Sequence, residues 1–171
     1  MDTAVETGTE QLLARLARRE AQDAVRRAIA ECAQSFDRRD AQRFAAVWSE
    51  RATWSVGPGH EVCGLPAIRD EARKMWAQVG PTHHWASNPV IDVHGSDAVA
   101  ETEVQAVVRG ADGTWTLTAG TYRDRFEWLD GSWLLVRRAT DIHRTFPVAE
   151  PIGPVAEPAG STSESTGSAS E

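Results

Sequence analysis

The stretch GTYRDRFEWLDGSWLLVRR, Gly120–Arg138, decides the fold of this chain. Apolar and charged residues alternate with a period of two on both sides of the dipeptide Asp130-Gly131. That dipeptide is typical of the two-residue turn of a β-hairpin, and the alternation is typical of strands with one buried face. The stretch therefore predicts two antiparallel strands joined by a tight turn.

The period of two continues outward from this hairpin to Pro81. Four strand-like runs cover about Thr82–Val93, Ala98–Val108, Thr114–Leu129 and Ser132–His143. The turn signals between the first three are Gly95-Ser96 and Ala111-Asp112-Gly113. Consecutive strands joined by short turns predict an antiparallel meander.

Before Pro81 the apolar residues recur every three or four positions, which predicts helices. A long helix is expected over Glu10–Phe36. Asp40 would cap a short second helix, and Pro66 would open a third. A strand over Ala52–Val56 is expected between these two helices. Helices followed by a meander are typical of an α+β fold with the helices on one face of the sheet.

Strand parity assigns side chains to the two faces of the predicted sheet. Asp124 and Arg138 fall on faces that otherwise carry core residues, where a charge has to be paired or functional. Only one of the adjacent His83 and His84 can point inward, and parity places His84 there. The same parity places Trp133 on the outer face.

The composition indicates one globular domain with an acidic tail. The chain has 171 residues, of which 41% are hydrophobic and 25% charged, and its net charge of −7 argues against a nucleic-acid partner. Residues 1–9 are expected to be flexible, 10–147 to form the domain and 148–171 to be a disordered tail rich in Pro, Gly, Ser and Thr. We recognise no membrane-spanning stretch and no signal peptide, and two cysteines make no disulfide framework, so a cytoplasmic location is expected.

Asp37 and His84 are the residues best suited to proton transfer. A carboxylate that binds one imidazole nitrogen fixes the tautomer and leaves the other nitrogen as a base, which suits removal of a proton from carbon or oxygen. A surface acid and a histidine satisfied within a strand are the alternatives. No metal site is expected, because adjacent strand residues such as His83 and His84 point to opposite faces and the five histidines show no other ligand spacing.

Three motifs, taken in their order and spacing, resemble a known family over about Leu12 to Thr145. They are RLARREAQDAVRRAIAECAQSFDRRDAQRFAAVWSERATW (Arg15–Trp54), THHWASNPVIDV (Thr82–Val93) and the opening stretch (Gly120–Arg138). The chain resembles the SnoaL-like branch of the nuclear transport factor 2-like superfamily, which includes dehydratases and dehydrochlorinases.

The resemblance implies a fold and a set of site residues. The fold would be a cone-shaped, curved antiparallel sheet wrapped by the N-terminal helices around a deep apolar pocket, as in the cystatin-like α+β barrels. Asp37 and His84 match the catalytic aspartate–histidine dyad of the family's lyases. Arg138 and Tyr122 match positions that act beside that dyad, and Trp54 matches a tryptophan of the pocket. No cofactor is implied.

The chain departs from the dehydratases of this family at two positions. Phe36 stands where those enzymes carry a tyrosine before the dyad aspartate, and Arg109 stands where they carry a second pocket histidine. These two departures argue against a dehydration that positions water in their manner.

The residues and the resemblance together predict a cofactor-independent lyase or isomerase that acts on a small hydrophobic, cyclic substrate. His84 would remove a proton while Asp37 orients its ring. Arg138 would stabilise developing charge, and Tyr122 would donate a hydrogen bond. The expected pocket walls are Trp54, Phe44, Met75, Trp76, Asp124, Phe126 and Trp128. Asp124 alternatively pairs with Arg138.

Two other functions remain open at this point. A polyketide cyclase would use the same proton abstraction for an intramolecular aldol closure. A non-catalytic ligand-binding or assembly module would have Asp37 and His84 apart, or an occluded pocket. For the lyase as well, a homodimer or homotrimer is expected through the outer sheet face, where Trp85, Trp115 and Trp133 would form an apolar patch.

Overall fold

The structure is a computed structural model, and it describes residues 2–149, with side chains from residue 8 onward. Residues 150–171, which include nearly all of the predicted acidic tail, lie outside the described part of the chain.

The first helix, α1, spans Asp2–Asp37 and begins earlier than the sequence predicted. Its buried face is made by Val25, Ile29, Cys32 and Phe36, which recur at spacings of four, three and four residues. This stripe packs against the sheet and brings the last residue of the helix to the first strand of the meander. No helix within residues 2–149 is long and apolar enough to cross a membrane.

Two shorter helices complete the helical layer. The second, α2, spans Ala41–Ala46, and the Asp40 side chain caps it by accepting a backbone hydrogen bond at 3.0 Å. The third, α3, spans Leu65–Gln78 and has a proline in its first turn, where the missing N–H costs nothing. Both positions agree with the sequence prediction.

The strands of residues 2–149 form one six-stranded sheet. In chain order they are β1 (Trp48–Gly57), β2 (His60–Cys63), β3 (Thr82–His94), β4 (Asp97–Arg109), β5 (Trp115–Leu129) and β6 (Ser132–Val148). Their order across the sheet is β2-β1-β6-β5-β4-β3, so the predicted meander forms as expected. Strand β2 has four residues and was not predicted from the sequence.

The sheet is mixed, whereas a wholly antiparallel one was expected. Strand β1 runs parallel to β6, and Trp54 lies opposite Arg138 in this pairing. All other pairs are antiparallel, and the sheet is curved and does not close. The expected α+β class with N-terminal helices against a curved sheet is confirmed. A parallel pair requires a long connection, which β2, α3 and the strands β3 to β5 provide between β1 and β6.

A β-bulge in β6 changes the faces that the sequence assigned. Arg125 lies opposite Arg137, but Phe126 lies opposite Leu135, so Val136 is the extra residue. An extra residue reverses the inward and outward alternation of the strand from that point.

The bulge corrects the prediction for Trp133. Trp133 and Leu135 are buried on the inner face together with Arg138, although strict alternation along the strand would place them on the face opposite to Arg138. Trp133 packs edge-on against Trp128 with ring centroids 5.8 Å apart, so it belongs to the inner face and not to an outer patch. Of the three tryptophans expected on the outer face, Trp85 is exposed and Trp115 is half-buried.

Candidate active site

Asp37 and His84 meet where α1 ends and β3 begins. Asp37 is the last residue of α1, and its Oδ1 lies 2.6 Å from His84 Nδ1. The backbone N–H of His84 donates to Oδ2 at 2.7 Å, and the hydroxyl of Thr82 donates to Oδ1 at 2.8 Å. Burial disfavours the charged carboxylate, but the hydrogen bonds and the charge of the His84 ring outweigh it and hold the pKa of Asp37 below its ordinary value.

The second ring nitrogen of His84, Nε2, is available to act as a base. Nδ1 is bound to Asp37, and Nε2 has no hydrogen-bond partner within residues 8–149. Phe36 packs edge-on against the imidazole at a centroid distance of 5.5 Å and so limits its rotation. His83 points to the opposite face, where its ring lies 4.4 Å from that of Trp85. The predicted inward position of His84 therefore agrees with the geometry.

His84 lines an apolar cavity of about 240 Å³ between the helices and the inner face of the sheet. Its polar lining is limited to a few side chains: Cys32, His84, Thr118, Tyr122, Arg138 and Thr140. The apolar lining comes from Ala33, Phe36, Phe44, Trp54, Val56, Met75, Val104, Ala106, Val108 and Ile142, with Gly120. Ile142 is half-exposed, so the cavity reaches solvent on that side. A concave apolar site with few polar groups is typical of a small-molecule site.

Arg138 and Asp124 form a buried ion pair beside this cavity. Arg138 donates from Nε to Oδ1 at 2.8 Å and from Nη2 to Oδ2 at 2.6 Å, and both side chains are at most 4% exposed. Burial opposes the guanidinium charge, but Asp124 outweighs it and holds the pKa of Arg138 above its usual range. The pairing that the sequence left open for Asp124 is therefore present, and it leaves the pair nearly neutral.

Two further groups surround the guanidinium. It lies 4.1 Å from the ring centroid of Tyr122, a cation–π contact. Burial raises the pKa of Tyr122 to about 12, against the opposing effect of Arg138, so its phenol stays protonated at neutral pH. Cys32 accepts a hydrogen bond from Arg138 Nη1 at 3.1 Å, and burial raises the pKa of its thiol.

The predicted pocket residues divide into two groups. Phe44, Trp54 and Met75 line the cavity, and Trp54 Nε1 lies 3.4 Å from Thr140 Oγ1. The others lie elsewhere: Trp76 packs behind Phe36, Asp124 is in the ion pair, Phe126 is fully buried in the core and Trp128 is 49% exposed at the far end of the sheet. Phe126 and Trp128 share the inner face with Tyr122, but the cavity ends before that part of β5.

Several lining residues were missed by the sequence analysis. Val104, Ala106 and Val108 of β4 line the cavity, and their shared parity had indicated only a buried face. Cys32 lies in the apolar stripe of α1, and nothing in the sequence separates it from a core residue. Within residues 8–149 no group of three or more His, Cys, Asp or Glu side chains could hold a metal ion.

The comparisons with known proteins identify the family and the fold. Residues 17–139 match the family model of the SnoaL-like domain. No curated protein sequence matches the chain.

Three solved structures show the shared fold. The hexachlorocyclohexane dehydrochlorinase LinA-type3 from Novosphingobium barchaimii has a TM-score of 0.76 and 19% identity, over 81% of this chain and 99% of that one. A putative scytalone dehydratase from Novosphingobium aromaticivorans has a TM-score of 0.69 and 22% identity, over 81% and 95%. A protein of unknown function with a cystatin-like fold from Nostoc punctiforme has a TM-score of 0.63 and 19% identity, over 71% and 90%.

The family model covers most of the chain, and the three solved structures share its fold. The chain therefore belongs to the SnoaL-like domain family, in the nuclear transport factor 2-like superfamily.

Proposed function

We propose that this protein is a cofactor-independent lyase that eliminates a leaving group from a small hydrophobic, cyclic substrate. One observation carries the proposal: His84 is bound to Asp37 at 2.6 Å through Nδ1 and lines an apolar cavity. The SnoaL-like relatives include a dehydrochlorinase and a putative scytalone dehydratase, which supports a lyase or isomerase type of enzyme.

His84 is the base of the proposed reaction. Its Nε2 takes a proton from a substrate carbon, the electron pair of that C–H bond forms the new double bond, and the leaving group departs with the pair of the bond that breaks. Asp37 accepts the Nδ1–H hydrogen bond throughout and stabilises the imidazolium that forms. Its pKa is below the ordinary value, so it stays a carboxylate while His84 carries the proton.

Arg138 and Tyr122 are proposed to act on the leaving group. Because Asp124 neutralises the charge of Arg138, the guanidinium acts on the leaving group mainly as a hydrogen-bond donor and less as a net positive charge. Tyr122 keeps its proton up to about pH 12 and can donate it in a hydrogen bond. Both line the cavity that holds His84. Donors fixed where charge develops lower the barrier without having to reorganise.

The test compares two adjacent histidines that lie on opposite faces of β3. A panel of uncharged cyclic compounds that includes hexachlorocyclohexane and scytalone is screened by chloride release and by absorbance. With the compound that is turned over, His84→Ala and Asp37→Asn are expected to lower kcat by roughly 10²- to 10⁴-fold. His83→Ala, on the outer face, is expected to stay within about twofold, because surface changes away from such features have small effects. Unchanged turnover in both His84→Ala and Asp37→Asn would falsify the mechanism.

The non-catalytic module is the main rival. An interrupted Asp37–His84 contact or an occluded pocket would favour it, and both the 2.6 Å contact and the open cavity favour the enzyme. A cyclase would share the proton abstraction and differ in its product. We propose in addition that the protein acts in the cytoplasm as a homodimer or homotrimer, in which the outer sheet face around Trp85 is covered.

A further inference from the structure

The carboxylate of Asp37 occupies a position that its own helix disfavours. Asp37 ends α1, and the C-terminal end of a helix carries partial negative charge, so a second negative charge there needs donors from outside the helix. Those donors all come from the start of β3: the Thr82 hydroxyl, the His84 backbone N–H and the His84 Nδ1. The charge state of Asp37 thus depends on three hydrogen-bond donors that two residues of another element, Thr82 and His84, supply.

Thr82 binds the same oxygen of Asp37 as the imidazole does. Oδ1 receives Thr82 Oγ1 at 2.8 Å and His84 Nδ1 at 2.6 Å, whereas among the described residues Oδ2 receives only the backbone N–H of His84, at 2.7 Å. Thr82 and His84 are two residues apart in one strand, so both side chains fall on the same face. An oxygen that accepts two hydrogen bonds offers less charge to each donor, and the second donor also fixes the rotation of the carboxylate.

A separate interaction joins the end of α1 to the loop before β3. Arg39, two residues after Asp37, donates from Nη2 to the carbonyls of Val79 and Gly80 at 2.9 and 3.0 Å. This contact ties the end of α1 to the loop before β3 and does not touch the carboxylate. Loss of the Arg39 contact therefore loosens the same junction and leaves the hydrogen bonds of Asp37 in place.

We propose that Thr82 is a positioning residue of the site: its hydroxyl fixes the orientation of the Asp37 carboxylate and moderates the hydrogen bond that His84 Nδ1 makes to Oδ1. Thr82 acts through Asp37 and does not line the cavity. The proposal rests on the proposed proton-transfer function of His84 and Asp37 for its effect on rate, and on geometry alone for its effect on the hydrogen bond.

The first measurement needs no substrate. In protein labelled with ¹⁵N-histidine, the proton on Nδ1 of His84 is observed by NMR and assigned by its loss in His84→Ala. Thr82→Val is expected to move this resonance downfield, because Oδ1 with one donor fewer accepts a shorter and stronger bond. Thr82→Ser keeps the hydroxyl and is expected to leave the resonance in place. Thr82→Ala repeats the test if the valine variant does not fold.

Arg39→Ala is the matched control for loss of stability. It is expected to lower Tm to a similar extent and to leave the Nδ1 proton resonance unmoved. An unmoved resonance in Thr82→Val or Thr82→Ala, together with a fall in Tm like that of Arg39→Ala, would overturn the proposal and leave Thr82 as a structural residue only.

The second measurement is kinetic, with whichever uncharged cyclic compound the wild-type protein turns over. Thr82→Val is expected to lower kcat by roughly tenfold at unchanged KM, since a misplaced catalytic pair slows the reaction without weakening binding. Thr82→Ser is expected to recover kcat to within about twofold. A raised KM at unchanged kcat contradicts the proposal. A displaced resonance in a protein that turns over no compound supports the role of Thr82 and contradicts the proposed function.

Discussion

At the scale of single residues, the site is governed by charges that are buried and paired. Arg138 and Asp124 are both nearly inaccessible, and two hydrogen bonds join them. Removal of one partner leaves the other as an uncompensated buried charge, whereas removal of both leaves only a packing defect. The pair therefore needs to be tested as a pair.

Asp124→Ala is expected to destabilise the fold by about 3–5 kcal/mol, because Arg138 is left without its counter-charge. The double substitution Asp124→Leu with Arg138→Met removes both charges, and we expect it to recover most of that loss. Urea unfolding monitored by tryptophan fluorescence measures both. Equal losses in the single and double variants would show that packing, not charge pairing, sets the cost.

Tyr122 is the one tyrosine of the chain, so tyrosinate absorbance reports on it alone. We expect the native protein to titrate near pH 12 and the urea-unfolded protein near its ordinary value of about 10. Because the folded pKa is the raised one, the stability that Tyr122 contributes is present below about pH 10 and is lost as the pH rises toward 12. Tyr122→Phe should show no such transition, and a native midpoint near 10 would refute burial of the phenol.

At the scale of elements, β-bulges in β6 decide which side chains reach the cavity. Besides the bulge at Val136, Ala119 lies opposite Arg144 while Gly120 lies opposite Ile142, so His143 is a second extra residue. Gly120 lines the cavity at this point, and a Cβ placed on it would lie 2.4 Å from the backbone oxygen of Asp141. The close approach of two strands requires glycine here.

Gly120→Ala is expected to destabilise the fold by about 1–3 kcal/mol, because the clash is with backbone that cannot move aside. Gly57→Ala, whose added Cβ would meet nothing within 4 Å, is the matched control and should change the free energy of unfolding little. Chemical denaturation compares the two variants. Equal stability of Gly120→Ala and Gly57→Ala would mean that β5 and β6 can separate locally without cost.

At the scale of the whole molecule, the two faces of the sheet have different surroundings. The helices and the cavity cover the inner face. The outer face carries Trp85, Leu117 and Phe146, of which Trp85 and Phe146 are 49% and 44% exposed. Leu117 and Phe146 are cross-strand neighbours, so their side chains adjoin. An apolar surface of this kind is typical of a contact between subunits.

We expect the protein to be a homo-oligomer in solution and Trp85→Glu to dissociate it, because a buried unpaired charge opposes association. Sedimentation velocity over a range of concentrations measures the assembly. Trp128→Glu, on the inner face and 49% exposed at the far end of the sheet, is a control that should not alter the assembly. A wild-type protein that sediments as a monomer at high concentration would disprove the expectation.

The fold class, the order of the helices and of the meander strands, and the meeting of Asp37 with His84 were accessible from the sequence or from the resemblance, for different reasons. The alternation of apolar and charged residues around Asp130-Gly131 is a local property of the sequence. It therefore predicts the hairpin without knowledge of the other elements. Inward parity identified His84 because its strand has no bulge between Thr82 and Ser87. That Asp37 lies beside His84 came from the resemblance, since no local rule connects residues so far apart in the chain.

The features that only the tertiary structure decided depend on strand register and on contacts between residues far apart in the chain. Three features follow from which strands are neighbours and where a strand carries a β-bulge. They are the parallel pairing of β1 with β6, the burial of Trp133 and the pairing of Asp124 with Arg138. The sequence determined which residues alternate, because alternation is a property of the backbone of one strand. It did not determine where the cavity ends, or that the side chains of Thr82 and His84 bind the same oxygen of Asp37. Both features depend on contacts between elements whose register is set by the whole fold.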